Sequence, residues 1–251
     1  MLVSLTHADV DVDGAPMRID VAAPTVSGRY PGLVFFADIF GNGTDPTQRA
    51  MRRFAGHGFV VAAPQFYHRH QPPDRFFPFE DRDGAMNAAA RTLVGDFDAD
   101  TRATIDYLAT RADVRHGALG ATGFCIGGHL AVRAALQPEI KATAAFYPTG
   151  LPQRSLGGST DVDTLTRVPG GGIGGATFIA LGLHDTHIAK DAIAAIYTGF
   201  ALSPSPFLIS MYDGGHAFMR DNDEPRYNPS EADRAYHDAI AFLRDRLAPL
   251  D

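Results

Sequence analysis

The chain has 251 residues, 45% apolar and 20% charged, and 22 basic against 29 acidic side chains leave a net charge of −7. This length suits one α/β domain spanning residues 1–251, with a core large enough to need no staples. The acidic balance and the lack of a basic block exclude nucleic acid and anionic membrane as expected partners, and a single cysteine excludes any intramolecular disulfide or multi-thiolate metal centre.

Leu2–Asp13 and Ala15–Ala22, parted by Asp13-Gly14, read as an opening hairpin. Gly32–Ala37 is a continuous apolar run, as expected of a strand covered on both faces. A short helix over Thr47–Gly56 follows, with Met51, Phe54 and Ala55 inward, and then a strand over Phe59–Ala63 closed by Pro64. Gln65–Asp83, rich in Pro, Arg and aromatics and without a period, is a surface excursion. Ala85–Thr110 is mostly helical, with an interruption expected near Gly95. The spacing then predicts a strand over Ala118–Phe124, a helix over Gly127–Leu136 and a strand over Thr143–Tyr147. Leu151–Gly175 is a Gly-rich loop, followed by strand Thr177–Leu183, a helix near Ala189–Phe200, strand Phe207–Tyr212 and a closing helix over Glu231–Leu247. Short apolar runs alternating with helices predict an α/β fold, a mostly parallel twisted sheet of about eight strands with helices on both faces.

The start of the chain lacks a basic segment followed by an apolar run, and Leu33–Ala37 and Ala176–Leu183 are far shorter than the ~20 residues a membrane helix needs. A cytoplasmic protein, a monomer or small homo-oligomer with a small-molecule substrate, is the expectation. Gly170–Gly175 formally satisfies G-x-G-x-x-G, but it follows a Pro-containing loop and opens a strand, whereas a dinucleotide motif follows a strand and opens a helix. No cofactor is expected.

Chemistry concentrates at Gly123-Phe124-Cys125-Ile126-Gly127, between a strand and a helix. This is a nucleophile-elbow pattern with Cys in the serine position. The residues two before and two after the nucleophile crowd together in the turn, so both must be small. The thiol then projects at a helix N-terminus, where N–H groups and the helix dipole favour a thiolate and can supply an oxyanion donor.

An elbow nucleophile needs an acid and then a base later in the chain. Asp185 follows strand Thr177–Leu183 and His216 follows strand Phe207–Tyr212, both just past strand C-termini, where α/β sheets place their sites. Asp185 is therefore read as the acid and His216 as the base. His7, His57, His116 and His237 read as surface, His68 and His70 lie in the excursion, and His129 is expected to pack. His184 and His187 flank Asp185 in a His-Asp-x-x-His pattern, but no second cluster supports a metal.

With these residues in place, nearly the whole chain resembles the dienelactone hydrolase (carboxymethylenebutenolidase) family of α/β-hydrolases. Gly123-Phe124-Cys125-Ile126-Gly127-Gly128 is similar to that family's Cys elbow, and Asp185 and His216 match its acid and base. Asp38-Ile39-Phe40-Gly41 resembles the family's Glu-Ile-Phe-Gly segment. The resemblance implies that the N–H groups of Ile39 and Ile126 form the oxyanion hole and that Asp38 stands where a Glu takes part in activating the cysteine. It further implies that Arg82 and Arg220 hold a substrate carboxylate. Phe40 belongs to the same pocket, and Tyr67 either lines it or packs among aromatics. Met86 and Ala89 stand where Trp and Tyr are expected, Ala217 replaces a Ser, and the loop at 151–175 is longer than usual. The implied activity is hydrolysis of small lactones or esters, carboxylate-bearing ones included, through a thioester. A general carboxylesterase or thioesterase, or a non-catalytic ligand-binding relative, remains an alternative.

Overall fold

The computed structural model describes residues 1–72 and 76–248. Eight strands form one sheet: β1 (Val3–Val12), β2 (Ala15–Pro24), β3 (Tyr30–Phe36), β4 (Val60–Pro64), β5 (Val114–Phe124), β6 (Ile140–Phe146), β7 (Ala176–Gly182) and β8 (Phe207–Tyr212). Their order is β1-β2-β4-β3-β5-β6-β7-β8. The opening hairpin is antiparallel and β2 joins β4 antiparallel; every other pairing is parallel. The chain passes from β3 outward to β4 and then back to β5 on the other side of β3. That reversal opens a crevice beyond the carboxyl ends of β3 and β5, the place where open α/β sheets bind ligands.

The helices are α1 (Asp45–Gly56), α2 (Arg82–Arg91), α3 (Val94–Thr110), α4 (Ile126–Ala134), the single turn α5 (Thr164–Arg167), α6 (Lys190–Ala201) and α7 (Pro229–Arg246). Side-chain alternation along β3 separates the layers. A side chain at Gly32 would meet Leu108 of α3, whereas Phe35 meets Phe54 of α1 at 6.3 Å between ring centroids. Phe54 in turn packs on Tyr236 of α7, and Phe124 stacks on Phe146 at 4.7 Å. Arg133 forks onto Asp98 at 2.6 and 2.7 Å and also reaches Asp163 at 2.8 Å, which ties α4 to α3 and to the loop before α5. Among the described residues no helix is long and apolar enough to cross a membrane.

Two boundaries differ from the sequence expectation for identifiable reasons. The long helical stretch breaks at Thr92-Leu93, not at Gly95, which sits in the first turn of α3. The Thr92 hydroxyl bonds back to the Ala88 carbonyl, and the Asp96 carboxylate accepts the Leu93 N–H. The loop at 151–175 then docks in the gap: Gly158 donates to the Thr92 carbonyl and Ser159 accepts the Val94 N–H. That loop is not loose, because Leu151, Leu156, Val168 and Ile173 are buried. The closing helix begins at Pro229, where a proline costs no hydrogen bond, with Asn228 as its cap. Of the excursion, residues 73–75, Arg75 included, lie outside the described residues.

The parallel registers align the carboxyl ends of the strands: Phe36 pairs with Gly123, Phe124 with Phe146, and Gly182 with Tyr212. Asp38, Cys125, Thr149, Asp185 and His216 therefore emerge at one edge. The Gly-rich run at 170–175 leads into the opposite end of β7.

A Cβ at Gly123 would run into the carbonyls of Gly127 and Phe36. Gly123→Ala is therefore expected to cost about 2 kcal/mol and to lower Tm by roughly 4–8 °C, as measured by calorimetry. An unshifted Tm would show that the turn has room to spare.

Candidate active site

Cys125 joins β5 to α4 with φ 60° and ψ −120°, a conformation hostile to any residue with a Cβ. Three close contacts hold it there. Its N–H donates to the Phe146 carbonyl at 3.1 Å, and its own carbonyl accepts from Gly128 and Thr149 at 2.9 and 3.1 Å. Cβ atoms at Gly123 and Gly127 would strike backbone carbonyls of the elbow and of β3, so only glycines let the turn close this tightly.

His216 lies beyond β8 and presents Nε2 to the Cys125 Sγ at 3.3 Å. Its Nδ1 stands 2.8 Å from Asp185 Oδ2. Asp185 is held in turn by the N–H groups of His187 and Ile188, which donate to Oδ1 at 2.7 and 3.2 Å. Burial would push His216 down, but its hydrogen bonds to Asp185 and Cys125 outweigh that and lift it to about 9. For Asp185 burial works against ionisation, yet the His216 bond and two backbone N–H groups leave its carboxyl below the usual range. His187 stacks on His216 with centroids 4.2 Å apart, and Tyr147 meets the same ring edge-on at 5.2 Å. Burial, then the neighbouring His216, hold His187 below the ordinary histidine value.

Asp38, just beyond β3, is occupied elsewhere. Its Oδ1 accepts the Phe40 N–H at 3.0 Å and its Oδ2 accepts from Arg220 at 2.6 Å. Arg220 lies against both Phe40 and Phe79, 5.2 and 4.8 Å from the ring centroids, and also reaches Asp223 at 3.3 Å. Asp38 makes no hydrogen bond to the sulfur. The Thr149 hydroxyl does, at 3.1 Å. The N–H groups of Ile39 and Ile126 have no acceptor among the described residues, so both are available to a developing oxyanion.

These groups open onto a cavity of about 260 Å³. Ile39, Phe40, Arg82, Cys125, Ile126, His216 and Arg220 all line it, so the structure brings most of the sequence-derived set together. Tyr67 stands apart as a correction: it packs against Phe66 and Phe77, drawn inward by the aromatic cluster under the excursion, and is not on the cavity wall. Met86 and Ala89 form part of the wall from α2, and Ser155, Leu156 and Gly157 contribute from the docked loop.

The sequence profile of the dienelactone hydrolase family matches residues 17–247. The chain belongs to the dienelactone hydrolase family. It is 28% identical over 231 residues to a Saccharomyces cerevisiae protein named putative carboxymethylenebutenolidase, a match covering 88% of this chain and 84% of the relative. A Bradyrhizobium protein named probable 2-oxo-3-(5-oxofuran-2-ylidene)propanoate lactonase is 27% identical over 251 residues, with coverage of 98% and 96%. Among solved structures, a putative dienelactone hydrolase from Klebsiella pneumoniae superposes with a TM-score of 0.80 at 21% identity, covering 97% of this chain and 99% of that one. The α/β-hydrolase fold is common to both.

In this member of the dienelactone hydrolase family, the cavity residues given no site role by the sequence include Thr149, His187 and Arg226. Thr149 follows the carboxyl end of β6, so the strand-end rule that found Asp185 and His216 could have found it. His187 stands in the sequence only within the His-Asp-x-x-His pattern. Arg226 comes from an irregular segment and had no signal; it lines the cavity and pairs with Asp223 at 2.7 Å. Donor atoms of Asp185, His187 and His216 do lie within 4.8 Å of one another. Both Asp185 oxygens already accept hydrogen bonds and His216 Nε2 faces sulfur, an arrangement better suited to moving a proton than to holding an ion. His184 points away, to Asp213 at 2.8 Å. His129 is fully buried against Thr164 and pushed down to about 3, mainly by burial and then by Arg133.

A histidine lifted from 6.5 to about 9 on folding contributes stability that is fully present below pH 6.5 and lost as pH rises through 9. The stability of the unaltered protein to urea should therefore fall between those pH values relative to that of His216→Asn, which lacks the titrating ring. Parallel stability curves would show that folding does not favour the charged imidazole.

Proposed function

We propose that this hydrolase cleaves small lactones or esters by a Cys-His-Asp mechanism. The observation that carries the reading is the unbroken chain from Cys125 Sγ through His216 to Asp185, at 3.3 and 2.8 Å, opening onto a lined cavity. The name of the Bradyrhizobium relative, a lactonase, and that of the yeast relative, a carboxymethylenebutenolidase, support the same reaction class.

In acylation the Cys125 thiolate attacks the carbonyl carbon, and the displaced electron pair rests on the oxygen facing the N–H groups of Ile39 and Ile126. The carbon–oxygen bond to the leaving group then breaks as protonated His216 gives its proton to the departing alkoxide. In deacylation neutral His216 takes a proton from water, whose oxygen adds to the thioester carbon, and the thiolate leaves. Asp185 keeps the ring oriented and favours its charged form throughout. Cavity volume and lining limit the substrate to a small molecule.

Substrate charge is set by arginines. Arg220 is already met by Asp38 and Asp223, and Arg226 by Asp223, while Arg82 has no ion-pair partner among the described residues. A substrate carboxylate is therefore anchored first by Arg82, with Arg220 following if Asp38 releases it. Asp38 acts through Arg220 and the Phe40 N–H, which shapes the segment carrying Ile39. The neutralised state of Arg220 also favours a second reading, an esterase indifferent to substrate charge.

A hydrolysis panel of lactones and esters with and without a carboxylate tests both. Cys125→Ala should lose turnover on every substrate while keeping its circular dichroism. Arg82→Ala should raise KM for the anionic substrates by about tenfold and leave neutral nitrophenyl esters unchanged. Equal effects on both classes would favour the charge-indifferent esterase, and full activity in Cys125→Ala would overturn the nucleophile.

A further inference from the structure

Among the described residues the Cys125 sulfur has two side-chain hydrogen-bond partners, and the nearer one is neither His216 nor Asp185. Thr149 Oγ1 lies 3.1 Å from Sγ, against 3.3 Å for His216 Nε2. The backbone builds this contact deliberately. Tyr147, at the end of β6, takes a left-handed φ of 38° and anchors its N–H on the Ala180 carbonyl at 2.8 Å. The chain then turns back, and the Thr149 N–H donates to the carbonyl of Cys125 itself at 3.1 Å. The hydroxyl is thus fixed to the turn it faces. It has a second acceptor within reach, the Tyr147 carbonyl at 3.4 Å. Asp38 is committed to Arg220 and the Phe40 N–H and cannot fill the same role.

A hydroxyl donates weakly to a thiol or a thioester and strongly to a thiolate, because the charge sharpens the acceptor. We propose that Thr149 is a catalytic residue that donates to the Cys125 sulfur whenever it carries charge, an inference that rests on Cys125 being the nucleophile. In the free enzyme the hydroxyl and the His216 ring together face the sulfur. On acylation the sulfur's electron pair becomes the carbon–sulfur bond, the sulfur loses its charge, and the hydroxyl turns to the Tyr147 carbonyl. On deacylation the water oxygen, its proton taken by His216, completes the new carbon–oxygen bond. The carbon–sulfur bond breaks, its pair returns to sulfur, and the hydroxyl swings back to receive it.

Thr149→Val removes the donor at nearly constant volume, and Thr149→Ser keeps it. The readouts are the rate of Cys125 alkylation by iodoacetamide as a function of pH, and kcat and KM on a nitrophenyl ester. In Thr149→Val alkylation should shift to higher pH and slow about tenfold at neutrality, and kcat should fall about tenfold with KM nearly constant, the loss of one charge-assisted hydrogen bond. Thr149→Ser should restore both, and Thr149→Ala should repeat the Val result, which guards against a packing fault peculiar to valine. The other titratable groups acting on the sulfur, His216, Arg220, Tyr67 and Tyr147, are the same in every variant, so the shift belongs to the hydroxyl. An unmoved alkylation profile, with or without loss of kcat, overturns the proposal and leaves Thr149 a packing residue. Retained turnover in Cys125→Ala would instead overturn the nucleophile, and that outcome is read from a different variant.

Discussion

The strained turn at Cys125 is the constraint on which the rest of the site depends. A non-glycine residue held at φ 60° and ψ −120° costs on the order of 1–3 kcal/mol and persists only where its surroundings over-determine it. Here the surroundings are the carbonyls of Phe36 and Ala37 at the end of β3, the Phe146 carbonyl at the end of β6, and the start of α4. Relaxing the turn would withdraw the thiol from His216 and remove the Ile126 N–H from the cavity. The central strands and α4 therefore do more than bury apolar surface: they maintain a geometry that the local chain would otherwise abandon.

Around that turn, electrostatic commitments are shared between two separate circuits. One runs from sulfur through His216 to Asp185 and ends on backbone N–H groups. The other runs from Asp38 through Arg220 to Asp223 and Arg226, with the Arg220 guanidinium also lying against two phenylalanines. Both Asp38 oxygens accept hydrogen bonds, from the Phe40 N–H and from Arg220, so neither is directed at the Cys125 sulfur. The two circuits meet at the cavity wall, which His216 and Arg220 both line.

Much of this was legible in the residues. The elbow pattern, the order Cys125, Asp185, His216 and their places after strands were readable because strand ends and tight turns have strong local signatures. The helix break was misplaced because glycine at 95 is a local breaker, whereas the actual break at Thr92-Leu93 is made by a loop more than sixty residues further on. Tyr67 was ambiguous for a related reason: an aromatic in an irregular segment can face a pocket or a core, and only its neighbours Phe66 and Phe77 decide.

The sequence by itself determined the α/β fold, the glycine-flanked turn at Cys125, and the placing of Asp185 and His216 at strand ends, since these follow from periodicity, steric need for glycine and chain order. Tertiary structure alone decided what each charged or polar group touches. It turned Asp38 toward Arg220, brought Thr149 against the sulfur, stacked His187 on His216 and carried Arg226 to the cavity. Those contacts join residues far apart in the chain through side-chain rotamers and loop paths, and no local pattern encodes them.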